Sequence, residues 1–278
     1  MKKIPFFKMQ GAGNDFVVID DVPGLDLPAF TQKVCDRHMG IGADGVLVLE
    51  ESKKADYRMR IINADGSEAE MCGNGARCMA VYIRQKFAVV PEEFGMETLA
   101  GVIRARVEED TASVRLSDPR DYRPDLEIKI GGNVVVGHFI NTGVPHTVIF
   151  VQGLQEFDVG GLGRIVRQHH LFAPKGTNVN FVEKVRDGVV ALRTYERGVE
   201  AETLACGTGS VASALIGYLQ GQKKIEPTDG ASIRVVTKSG EVLEVSFDLD
   251  LDDKGRPAIT NVWLKGSGKV ICKGEYYY

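Results

Sequence analysis

Residues Glu68–Met79 read EAEMCGNGARCM, and residues Glu200–Ser213 read EAETLACGTGSVAS. Each copy runs Glu-Ala-Glu, a cysteine, Gly-x-Gly and then a helical pattern. After Cys72, positions Ala76, Met79, Ala80 and Ile83 keep the spacing of one apolar helix face. After Cys206, VASALIGYL is apolar nearly all round, as in a helix buried on every side. Cys72 and Cys206 therefore stand at or just before a helix N-terminus, where the dipole and unpaired N–H groups favour thiolate. Such an end also receives a carboxylate, and the glycines let a ligand come close to the backbone. Asn74 and Thr208 occupy the expected cap positions.

The repeat extends beyond the cysteines. GNDFVVID from Gly13 matches GVPHTVIFV from Gly143, and RIINADGSEAE matches RTYERGVEAE with Gly66 on Gly198. The landmarks keep their order, and the spacing between partners grows slightly from pair to pair, as in a diverged duplication. The halves should meet near SDPRDYRPDLE, residues 117–127, a polar stretch containing proline.

Strand signals dominate: residues 16–20, 45–51, 57–63, 102–109, 112–118, 146–151, 178–185 and 233–250 are β-branched and often alternate. Helix patterns are fewer, at Leu27–His38, Gly75–Phe87, Gly161–Leu171 and Gly209–Leu219. Helices this sparse cannot cross over between every pair of strands, so the fold class is α+β with largely antiparallel sheets.

Composition narrows the function. The 278 residues suffice for one large domain or two smaller ones. Net charge is −4 with lysines and arginines scattered, which argues against a nucleic-acid face. The opening MKKIPFFKMQ has no apolar run behind its lysines, so no secretory signal is expected, and no apolar run is long enough for a membrane span. Five cysteines without a dense pattern suggest thiols in a cytoplasmic protein. No CxxC pair or HExxH occurs, and no metal site is expected. Lone cysteines are usually small hydrophobes, and Cys35, Cys78 and Cys272 are read so. Glu70 and Glu202 are read as surface charge, and His169 and His170 as solvated helix residues.

Two cysteines in duplicated settings allow several chemistries. They could form a switchable disulfide. Cys206 could act alone as a nucleophile with His146 as its base. Racemisation or epimerisation instead needs two groups, a base to take a proton from one face of a carbon and an acid to return one to the other.

The strings MQGAGNDFVVID, NADGSEAEMCGNGARCMA, GVPHTVIFV, GTNVNFVEK and YERGVEAETLACGTGS together resemble the diaminopimelate epimerase family. The match is ordered from about residue 9 to 216. The resemblance implies two pseudo-symmetric lobes, each a mostly antiparallel, β-barrel-like sheet around a central helix. Residues 1–122 with 265–278 would form the lobe carrying Cys72, and residues 123–264 the lobe carrying Cys206, with the active site between them. The implied activity interconverts LL- and meso-2,6-diaminopimelate, in lysine and peptidoglycan precursor synthesis, with no cofactor. Cys72 and Cys206 would be the acid/base pair. Gly73, Asn74, Gly207 and Thr208 would hold the α-carboxylate, and Asn14, Asn63, Asn178, Glu196 and Arg197 the distal centre. His146 and Glu196 would tune the thiols. The resemblance further implies a cytoplasmic homodimer that acts on a small molecule and engages neither nucleic acid nor membrane.

Two positions depart from the family pattern. Val144-Pro145-His146 stands where Asn-Pro-His is usual, and Gly45 where glutamine is common. The first keeps a racemase of another amino acid on the same fold as an alternative. GIGADG, residues 40–45, matches a dinucleotide fingerprint, but it follows a helix and precedes a strand, the reverse of what that loop needs.

Overall fold

In a computed structural model, which describes residues 2–278, the chain divides into two compact units. The first runs up to Arg115 and takes in Lys265–Tyr278; the second is Leu116–Leu264. Met1, included in the expected first lobe and in the N-terminal reading, lies outside the described residues.

The first unit opens with β1 (Lys3–Gly11) and β2 (Asn14–Asp20), an antiparallel hairpin. Its turn places Ala12 and Gly13 at φ 55° and 86°. Helix α1 (Leu27–Cys35) crosses from β2 to the parallel strand β3 (Gly45–Glu50). Strand β4 (Tyr57–Asn63) runs antiparallel to β3, and the short β5 (Glu68–Ala69) folds back on β4. Helix α2 (Gly73–Lys86) then crosses to β6 (Glu93–Thr98), parallel to β4. Strands β7 (Gly101–Glu108) and β8 (Thr111–Arg115) continue antiparallel. The C-terminal strand, Lys269–Tyr277, returns to pair antiparallel with β1.

The second unit repeats this order after one extra strand. Strand β9 (Arg120–Ile130) pairs antiparallel with β10 (Asn133–Asn141), and β10 with β11 (Pro145–Phe150). Helix α3 (Val159–Arg167) leads to β12 (Asn178–Arg186), parallel to β11. Strands β13 (Val189–Glu196) and β14 (Ala201–Thr203) follow antiparallel. Helix α4 (Gly207–Gly221) crosses to β15 (Thr228–Val236), parallel to β13, and β16 (Val242–Leu251) pairs antiparallel with β15. Strand β17 (Pro257–Ser267) carries the chain back toward the first unit's last strand. The same succession of hairpin, helix, parallel strand, second helix and second parallel strand appears in both units, so the internal repeat is a repeat of topology. The fold is α+β and mostly antiparallel, with the parallel joins confined to the helical crossovers.

Each unit wraps its sheet round one apolar helix. Helix α2 packs on β1, β2, β3, β4, β7 and β8, and Ala76, Cys78, Met79, Ala80, Val81 and Ile83 are fully buried. Helix α4 packs on β10 to β13, β15 and β16, with Val211, Ala212, Ala214, Leu215 and Ile216 equally buried. Burying such a side chain contributes about 1.5–3 kcal/mol, so these two helices anchor the two cores. Smaller clusters lie under α1, around Phe30 and Val34, and under α3, around Val166 and Phe181.

Three sequence expectations meet corrections here. Asn74 and Thr208 are not the caps: the helices begin earlier, and Cys72 and Cys206, with extended backbones, are themselves the N-cap residues. Cys35 and Cys78 are core residues, but Cys272 is exposed, because it lies on the C-terminal strand whose residues mostly face solvent. Glu202 is not bare surface charge, since it pairs with Arg193 at 2.7 Å and Lys238 at 2.8 Å. Residues 117–127 lie just past the division between the units at Arg115 and Leu116, and most belong to β9, where Pro124 sits at a bulge and needs no ladder N–H.

Candidate active site

Cys72 joins β5 to α2. Its backbone is extended (φ −141°, ψ 118°), and its carbonyl accepts the first helical bond from Ala76 N–H at 2.8 Å. Its sulfur accepts from Gly75 N–H at 3.5 Å. A side chain at Gly75 would put its Cβ 3.0 Å from Leu47 Cδ2, so glycine lets α2 start hard against β3. The remaining first-turn N–H groups, those of Gly73 and Asn74, belong to the set that a helix cannot satisfy internally. The Asn74 side chain takes no part in that turn. It is buried, and its Oδ1 accepts from Arg77 Nη2 at 2.9 Å. Arg77, itself fully buried, also donates to the Gly73 and Ser267 carbonyls at 3.4 Å.

Asn14, at the start of β2, faces Cys72 with its Oδ1 3.6 Å from Sγ, and its Nδ2 donates to Asp44 Oδ2 at 2.5 Å. Behind it lies a charged cluster that sequence reading missed. Arg37 bonds both oxygens of Asp15 and reaches Asp44 at 2.8 Å, while Lys8 pairs with Asp15 at 2.6 Å. Burial would raise the Asp15 pKa, but the hydrogen bonds and charges of Arg37 and Lys8 outweigh it and bring it down to about 2. The only sequence signal was the aspartate within GIGADG. That loop lies between α1 and β3, and a side chain at Gly45 would strike the Ile62 carbonyl at 2.6 Å. Asn63 is exposed and bonds within its own turn, with Nδ2 to Ser67 Oγ at 3.0 Å.

Cys206 caps α4 in the same extended conformation (φ −123°, ψ 112°), and its carbonyl accepts from Ser210 N–H at 2.8 Å. Thr208 Oγ1 lies 3.5 Å from Cys206 Sγ and 3.0 Å from His146 Nε2. The His146 Nδ1 is 3.0 Å from Asn180 Nδ2. His146 is fully buried; desolvation first, then the charge of Arg197, bring its pKa down to about 3, and the ring is neutral. Asn180 was missed as well, although it lies within the GTNVNFVEK string. It becomes visible only when the parallel pairing of β11 and β12 brings it beside His146.

Asn178 and Arg197 lie together, the Asn178 Oδ1 accepting from Arg197 N–H at 2.8 Å and its Nδ2 donating to the Pro145 carbonyl at 3.0 Å. The Arg197 guanidinium reaches the Lys175 carbonyl at 3.2 Å. Glu196, half-buried at the end of β13, has its pKa raised by desolvation and partly restored by the Thr203 hydroxyl. Val144 offers only backbone here: its carbonyl accepts from Thr142 N–H at 3.1 Å. Among the described residues, no group of three or more histidine, cysteine or acidic side chains has the geometry to hold a metal ion. Among them, too, no helix is long and apolar enough to cross a membrane.

The chain matches the family model described as diaminopimelate epimerase over residues 6–120 and 138–253. It is 44% identical to the diaminopimelate epimerase of Aquifex aeolicus (strain VF5), covering 97% of this chain and 96% of that one. Among solved structures, a phenazine biosynthesis protein of the PhzF family from Bacillus anthracis superposes with a TM-score of 0.75 at 16% identity over 100% of both chains. A probable proline racemase from Agrobacterium radiobacter K84 superposes with a TM-score of 0.70 at 14% identity, covering 99% of this chain and 93% of that one. At that identity both likenesses speak for the fold alone. With the family model spanning most of the sequence and the Aquifex relative nearly all of it, the chain belongs to the diaminopimelate epimerase family.

Proposed function

We propose that this isomerase interconverts LL- and meso-2,6-diaminopimelate by proton transfer between two cysteines and the α-carbon, a step of lysine biosynthesis. The observation that carries the reading is that each unit begins its second crossover with a cysteine capping a buried helix, with a polar partner against its sulfur. One thiolate removes the α-proton; the other cysteine, as a thiol, returns a proton to the opposite face. An amino-acid α-proton is far less acidic than a thiol, so the developing carbanion needs electrostatic help. In this reading the first-turn N–H groups of Gly73, Asn74, Gly207 and Thr208 bind the α-carboxylate and stabilise that charge.

Arg197 grips the distal carboxylate through its guanidinium, held in place by the backbone bond to Asn178. Asn14, Asn63, Asn178 and Glu196 complete the distal set. No nucleotide, metal or pyridoxal group enters the scheme. The homodimer and the cytoplasmic location implied by the family resemblance belong to the same reading. The experiment is an assay of purified protein with LL-diaminopimelate and no added cofactor, following the meso isomer by chiral chromatography. Absence of the meso product would overturn the reading.

A further inference from the structure

The two units put unlike residues at like positions. Phe16 lies opposite Gly45 and Val18 opposite Leu47, whereas His146 lies opposite Asn178 and Val148 opposite Asn180. The helix starts give the same equivalence. A Cβ on Gly75 would meet Leu47 Cδ2 at 3.0 Å and Phe16 Cζ at 3.6 Å; one on Gly209 would meet Asn180 Oδ1 at 2.5 Å. An apolar pair in the Cys72 unit is thus an imidazole–amide pair in the Cys206 unit, and all four side chains are buried. Burying polar groups where apolar ones pack equally well is unfavourable unless their hydrogen bonds close.

Those bonds close in one direction. Asn180 Nδ2 faces the Thr147 carbonyl at 3.3 Å, and a carbonyl only accepts, so the amide orientation is fixed, with Oδ1 accepting from Thr194 at 3.0 Å. The same amino group donates to His146 Nδ1, which leaves the ring proton on Nε2, aimed at Thr208 Oγ1. With that oxygen accepting, the Thr208 hydrogen is delivered to Cys206 Sγ. The Cys206 sulfur receives a hydrogen bond.

The other unit runs the opposite way. Asp44, ion-paired with Arg37, accepts from Asn14 Nδ2, and this turns the amide oxygen toward Cys72 Sγ. An oxygen there calls for an S–H donor. The Gly75 N–H also reaches that sulfur, a bond a thiol accepts while it donates. The charged groups about these two networks are Arg197 beside His146, and Asp44, Arg37 and Arg77 about Asn14 and α2.

We propose that in the substrate-free protein Cys206 is the thiolate and Cys72 the thiol. Asn180, through His146 and Thr208, and Asp44, through Asn14, are the positioning residues that set this order. The inference deepens the two-cysteine reading and rests on it. In turnover the α-proton passes to the Cys206 sulfur and the C–H electron pair stays on carbon. The Cys72 S–H then gives its proton to that carbon and becomes thiolate. One turnover inverts the pattern, and proton exchange with water restores it.

The test is alkylation of the full-length, substrate-free protein with iodoacetamide at pH 7 under phosphine reductant, with peptide mass spectrometry. Cys206 should label about tenfold or more faster than Cys72, although Cys206 is only 7% exposed and Cys72 is the more open of the two. Thr208→Val should slow Cys206 labelling by about tenfold while leaving Cys72 unchanged, and Thr208→Ser should restore it. The double variant His146→Phe/Asn180→Leu copies the first unit's packing and should act as Thr208→Val does. Equal labelling, faster labelling of Cys72, or a ratio unmoved by Thr208→Val would overturn the proposal; if a variant fails to fold, the wild-type ratio still decides. Labelling without substrate is independent of turnover. A failure to form meso-diaminopimelate would sink the epimerase reading and leave the labelling order to stand or fall by itself.

Discussion

Leu47 and Asn180 occupy one position of a repeated structure: each faces a valine of the parallel neighbouring strand, Val18 or Val148, and each lies against the glycine three past a capping cysteine. Leu47 packs there, and Asn180 hydrogen-bonds. Asn180→Leu should therefore lower kcat for diaminopimelate by roughly 10- to 100-fold with a small change in KM. It should also cost about 1–3 kcal/mol, because the His146 and Thr194 partners are left buried without a bond. His146→Phe added to it should recover part of that stability and none of the rate. Steady-state kinetics and urea unfolding of both variants, read as a mutant cycle, decide it.

Replacing either capping cysteine should stop the reaction. Cys72→Ala and Cys206→Ala should each lower kcat/KM by at least about 10²- to 10⁴-fold, the usual worth of one positioned acid or base. Neither sulfur can stand in for the other, since each serves one face. Full turnover in either variant would refute a two-thiol mechanism.

The two helix-start glycines should differ in tolerance. Gly209→Ala drives a Cβ to 2.5 Å from the Asn180 oxygen, whose place is fixed by its own bonds. It should cost about 1–3 kcal/mol and displace the relay that ends at Cys206. Gly75→Ala meets the far end of Leu47 at 3.0 Å, a group that can give way, and should cost less. Melting temperatures and kcat for the pair rank them.

Acid should destabilise the protein through two groups with different windows. His146 has its pKa lowered to about 3 by burial, so the unfolded chain binds a proton there that the folded one refuses. Stability from this group falls as pH drops below about 6.5 and continues to fall toward 3. Asp15 is held near 2, so its contribution is present above the ordinary carboxylate range and is lost as pH falls from about 4 to 2. Unfolding free energies of His146→Phe should therefore depend less on pH between 6 and 4, and those of Asp15→Asn less between 4 and 2.

The cysteine motifs, the four main helices and the repeat could be read from the sequence because each is a local pattern of period or spacing. Lys3–Gly11 was hidden by the proline within it, and Arg120–Ile130 by its charge, since an antiparallel strand with an exposed face needs few apolar residues. The C-terminal strand was hidden for the same reason, and Cys272 with it. Asp44 and Asn180 lie in stretches the sequence reading quoted, GIGADG and GTNVNFVEK, but local pattern gave neither a role. Each acts through a neighbour on another strand or loop, Asn14 or His146, and only the parallel crossovers bring the partners together.

Proton exchange at the substrate tests two-thiol epimerisation most directly. In deuterium oxide, with LL-diaminopimelate and no added cofactor, the meso product should carry one deuterium at the inverted α-carbon and none at the distal centre by mass spectrometry and NMR. Meso product without deuterium at that carbon, or no meso product at all, would contradict it.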